Sequence, residues 1–71
     1  MTKTNTKTSM LRAKRAFFDF SQTDVAQKLG ITIVTYGRKE RGELDFTQTD
    51  ICILKEMLQL TNEEICEIFF D

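Results

Sequence analysis

Residues 21–42, SQTDVAQKLGITIVTYGRKERG, hold the signals that decide the fold. Ser21 is a favoured N-cap, because its hydroxyl can accept a hydrogen bond from a backbone N–H that the first helical turn leaves unpaired. Asp24 stands three places on, and Phe20 before the cap faces Val25 beyond it, as a hydrophobic staple does. Leu29-Gly30 ends that helix, since glycine adopts the left-handed geometry of a sharp stop. Thr32 then opens a second helix, with Ile31 placed to staple onto Tyr36, and Gly42 stops it. Two short helices across an abrupt turn are expected. The second begins with Ile33 and Val34, whose side chains have no hydrogen-bonding group.

The same signature recurs downstream. Thr47 is followed by Asp50 in the capping-box place, with Phe46 facing Ile51, and Thr61 is followed by Glu64, with Leu60 facing Ile65. A further helix is expected from about Ser9 to Phe18. Ile51, Leu54 and Leu58 share one stripe of the fourth helix, and Ile65, Ile68 and Phe69 share one of the fifth. Cys66 and Phe70 lie off that stripe, so the last helix is apolar on more than one side and is a candidate dimer or partner surface. The expectation is an all-α chain of five short helices, with a disordered polar tail over residues 1–8 and one domain over residues 9–71.

Composition agrees with a small helical domain. The chain has 71 residues, 41% of them apolar, with no proline and three glycines; that is close to the size below which a single core needs staples. No apolar run approaches the roughly 20 residues of a membrane span. The first eight residues lack the apolar core of a signal peptide, and a cytoplasmic protein is expected. Two cysteines and no histidine make no ordinary zinc site. Cys52 and Cys66 fall in apolar helical patterns and are expected to be buried. No metal or cofactor is expected. Without histidine or a glycine-rich phosphate loop, an enzyme has almost no support.

The net charge of −1 conceals a division. Residues 1–20 carry five basic side chains and one acid, residues 21–42 four and two, and residues 43–71 eight acids against Lys55 alone. An anion-facing front half and an acidic back half would account for this asymmetry, and so would ordinary solvated charge on helix faces.

Taken together, Ser21-Gln22-x-x-Val25-Ala26, Leu29-Gly30-Ile31-Thr32 and Glu40-x-Gly42, with Leu11-Arg12 and Arg15 upstream, resemble the Cro/CI-type (XRE-like) helix-turn-helix family of phage repressors. The resemblance covers roughly residues 10–70 and implies a lambda-repressor-like five-helix domain. It implies that Arg15 and Glu40 form a partly buried ion pair. Gln22 corresponds to a glutamine that contacts a DNA phosphate, and Ile33, Val34 and Arg38 to outward positions of the recognition helix. The contact face is accordingly expected at Ile33, Val34, Gly37 and Arg38, with Gln22, Thr32, Lys39 and Arg41 flanking it.

Departures from the family pattern bear on function. Arg38 can reach a guanine edge, whereas Ile33 and Val34 can at most touch thymine methyl groups. Lys14 and Lys39 occupy places where the family has core residues. Phe17 and Phe18 either fill the volume those lysines leave, while the lysine stems snorkel, or lie exposed and bind a partner. In length, tail and altered reading helix the chain looks like the small modulator-of-repression proteins (antirepressors) of temperate phages. That implies a phage-type repressor as partner, bound through the helix-turn-helix face, with DNA engaged directly or through the complex. The alternative is a stand-alone Cro-like operator-binding repressor; an antitoxin is a more distant reading.

Overall fold

Four of the helices start on a hydroxyl. Ser21, Thr32, Thr47 and Thr61 are all extended, and each accepts a hydrogen bond from the backbone N–H three residues on, at Asp24, Thr35, Asp50 and Glu64. At Ser21, Thr47 and Thr61 the acid returns the bond to the cap's own N–H, completing a capping box. Thr35 has no acid to return, and its hydroxyl instead accepts from Thr32 at 3.0 Å. The computed structural model describes residues 8–70. Its elements are α1 (Thr8–Phe17), α2 (Gln22–Leu29), α3 (Ile33–Glu40), α4 (Gln48–Met57) and α5 (Asn62–Ile65), and α5 runs on into a π-helical segment, Cys66–Phe70. Every element among the described residues is helical. The polar tail expected over residues 1–8 lies outside the described residues except at Thr8, where α1 begins.

The helix ends repeat as strictly as the starts. Asp19 (φ 62°), Gly30 (φ 74°), Gly42 (φ 85°) and Gln59 (φ 52°) are left-handed. The residue after each returns its N–H to a carbonyl five places back: Phe20 to Arg15, Ile31 to Ala26, Glu43 to Arg38 and Leu60 to Lys55. This is the Schellman stop, which satisfies carbonyls that the last turn leaves unpaired. Phe20, Ile31 and Leu60 therefore serve twice, sealing one helix end and preceding the cap of the next.

The core is Leu11 from α1, Val25 and Ala26 from α2, Tyr36 from α3, Leu54 and Leu58 from α4 and its end, Leu60, and Ile68 and Phe69 from the π segment. α2 packs on α3 and α4, and α1 packs on α3 and the π segment. Phe46 links two elements, edge-on to both Tyr36 (6.4 Å between ring centroids) and Phe69 (5.3 Å). No described helix is long and apolar enough to cross a membrane.

The packing revises one expectation and decides between two alternatives left open. Cys52 and Cys66 are exposed free thiols, not buried ones. Cys52 points away from the face on which α4 buries Asp50 and Leu54, and Cys66 shares an outer surface with Asn62, Glu63 and Glu67. The two phenylalanines at the end of α1 part company: Phe18 packs against the core, while Phe17 is 78% exposed. Lys14 does not snorkel into a vacancy but crosses to Glu64, the capping-box acid of α5, at 2.7 Å. Phe70 also lies exposed at the end of the π segment.

Candidate functional site

α3 carries the expected contact face. Its first turn projects from the Thr32 cap, and both side chains that open it are solvated, Ile33 at 45% and Val34 at 70% exposure. One and two turns on, Arg38 and Arg41 follow Val34 on the same side of the helix. The Thr32 hydroxyl is engaged within the cap, bonded to the N–H and the hydroxyl of Thr35.

Behind this face lies a polar cluster around Glu40, whose side chain is almost fully buried. Oε2 accepts from Arg15 Nε at 2.8 Å and from the Tyr36 hydroxyl at 2.9 Å; Oε1 accepts from Gln22 Nε2 at 2.8 Å. Arg15 also donates through Nη1 to the carbonyl of Phe20 at 3.0 Å. The Arg15–Glu40 pair thus ties α1 to α3 and to the turn that introduces α2. Burial alone would raise the Glu40 carboxyl, but the hydrogen bonds from Arg15, Gln22 and Tyr36 outweigh it and hold the pKa below the usual carboxylate range. Burial and the neighbouring Glu40 charge push the Tyr36 phenol up. No buried side-chain nitrogen or oxygen among the described residues lacks a hydrogen-bond partner.

Some members of the expected face are not available to a ligand. Lys39 is buried, its ammonium paired with Asp50 and lying 5.8 Å from the centroid of the Phe46 ring. It joins the end of α3 to the first turn of α4 and cannot flank an outer surface. The Asp50 carboxylate is raised by burial but more strongly lowered by Lys39 and by the N–H of Thr47, so it stays charged. Gly37 is also buried, with the Arg41 guanidinium over it: a Cβ there would lie 3.3 Å from Arg41 Nη1. Gln22 is half-buried and donates one of its two amide N–H groups to Glu40.

Arg38 and Arg41 remain exposed, and both turn to one carboxylate. Glu43 accepts from Arg41 Nε at 2.9 Å through Oε2 and faces Arg38 Nε at 3.4 Å through Oε1. The Arg41 hydrogen bond, with the Arg38 charge behind it, lowers the Glu43 pKa. Sequence reasoning missed Glu43; the available signal was an acid directly after the Gly42 stop, where the Schellman turn brings it back over the last helical turn. It also missed Asp50 as the partner of Lys39 and the Tyr36 hydroxyl as a donor to Glu40.

Among the described residues no cluster of three or more histidine, cysteine or acidic side chains is placed to hold a metal ion. Comparison with protein-family models, with curated proteins and with solved structures finds no match for this chain.

Proposed function

We propose that this chain is a Cro/CI-type helix-turn-helix protein that acts by binding a partner protein, a phage-type repressor, through the outer end of α3, and so modulates repression in a bacterial cytoplasm. One observation carries the reading: the outward positions at the start of α3 are Ile33 and Val34, both solvated, while nearby Gln22 donates to Glu40 and Arg38 and Arg41 share Glu43. Two apolar side chains at a helix start give a major groove little to bond. They suit the fully buried core of a protein interface, which is more apolar than its rim. The α2–turn–α3 arrangement, with Ala26 buried and Gly30 left-handed, is the support for the helix-turn-helix assignment.

The test is a titration of the purified chain with a purified phage-type repressor, taken from the neighbouring gene where that gene encodes one. Ile33→Asp and Val34→Asp, each placed on a solvated site that leaves the core intact, should weaken the complex by tenfold or more, about 1.4 kcal/mol each. A complex that tolerates both at unchanged affinity would overturn the proposal. Tight operator binding by the chain alone, abolished by Arg38→Ala, would favour the stand-alone repressor instead.

A further inference from the structure

The four Schellman stops differ in the residue that follows the left-handed one. After Asp19, Gly30 and Gln59 the next residue is apolar, and Phe20, Ile31 and Leu60 all pack on the core. After Gly42 it is Glu43, about half exposed. Its backbone is held as firmly as the others, with its N–H on the Arg38 carbonyl at 2.8 Å and the Gly42 N–H on that of Lys39 at 3.1 Å. The side chain therefore leaves from a fixed point above the last turn of α3, where it meets Arg38 and Arg41 together. Cations on this part of the chain are paired from within: Lys39 with Asp50 one to one, and Arg38 and Arg41 sharing the single carboxylate of Glu43.

We propose that Glu43 is a specificity-determining residue that screens Arg38 and Arg41 and so keeps the α3 face from binding nucleic-acid phosphate. This rests on the partner-binding reading of that face. An exposed ion pair is too weak to matter much for stability. Its position matters more. A phosphate approaching either arginine meets a carboxylate already seated between them, and must displace it or tolerate a like charge at close range. Affinity for a DNA backbone grows with the number of phosphates that protein cations neutralise. Holding two arginines on one acid lowers that number while leaving their stems, and the neighbouring Ile33 and Val34, free to pack against a protein.

The experiment measures binding of the whole chain to a labelled random-sequence DNA duplex of about 20 base pairs, without a partner, across a range of salt. Glu43→Gln should raise affinity about fivefold or more at low salt and steepen the salt dependence by about 0.9 in log–log slope for each arginine freed. The gain should vanish in the variant that also carries Arg38→Ala and Arg41→Ala. Wild-type affinity and slope in Glu43→Gln would overturn the proposal, as would a gain that survives loss of both arginines. Thermal melting of Glu43→Gln controls for folding. Because this assay contains no partner and the Ile33→Asp and Val34→Asp titration contains no DNA, failure of one reading is distinguishable from failure of the other.

Discussion

Replacing Arg15 with alanine isolates the largest polar commitment in the fold. The Glu40 side chain is 2% exposed and that of Arg15 17%, so truncation leaves a carboxylate stranded beside the core. Breaking a buried pair costs about 3–5 kcal/mol. The lower end applies here, because Gln22 and Tyr36 still donate to Glu40 and the arginine site is partly open to water. A chain of this length has about 4–10 kcal/mol in total, so a loss of about 3 kcal/mol lowers the melting midpoint by about 15 °C. Urea unfolding followed by far-UV circular dichroism reads the change directly.

The pH dependence makes this prediction sharper. In the wild type the folded Glu40 pKa lies below the usual value of 4.5. Its contribution is therefore fully present above that pH and is lost as pH falls through the folded value. Without Arg15, burial dominates and the pKa rises, so the variant's folded state prefers the protonated acid. The gap between the two proteins should be widest near neutrality and narrow below about pH 4.5. Adding Glu40→Gln should recover part of the loss, since a neutral amide needs no counter-charge. A difference below about 1 kcal/mol, or one of equal size at pH 4 and pH 7, would refute the account of a buried, charge-compensated Glu40.

Two further predictions concern residues beside the face. Lys39→Ala strands the buried Asp50 carboxylate and should cost about 2–4 kcal/mol in urea unfolding. Asp50 is held below its usual 3.8. Its stabilising share is therefore present above that value and lost as pH falls through the folded pKa, and Lys39→Ala should shift the acid-unfolding midpoint upward; an unshifted midpoint would mean the pair is solvated. Gly37→Ala should stabilise the chain by up to about 1 kcal/mol, the helix-propensity difference. Among the described residues the close neighbour of the new methyl is the flexible tip of Arg41, so a melting midpoint that falls instead would show that this guanidinium cannot yield.

What could be read from the residues was whatever depends on neighbours within five places. The caps at Ser21, Thr32, Thr47 and Thr61, the capping-box acids and the stops at Gly30 and Gly42 are contacts between a side chain or backbone group and its own helix turn. The stops at Asp19 and Gln59 were not legible, because a non-glycine residue takes a left-handed conformation in only a few per cent of cases and its type alone does not mark which.

Among the described residues the sequence by itself determined helical elements and the starts of α2 to α5, because each start needs only a hydroxyl and an N–H three residues apart in the chain. It also placed Ile33 and Val34 at the opening of α3. Tertiary structure decided which charges remain at the surface. Lys39 was withdrawn by Asp50 eleven positions away and Lys14 was carried across to Glu64, while the neutral amide of Gln22 was turned onto Glu40 eighteen away. Cys52 and Cys66 turned outward because burial depends on which neighbouring helix covers a face, not on how apolar the run is. Pairing of charges across elements follows from where packed helices bring their ends, and no local pattern encodes that distance.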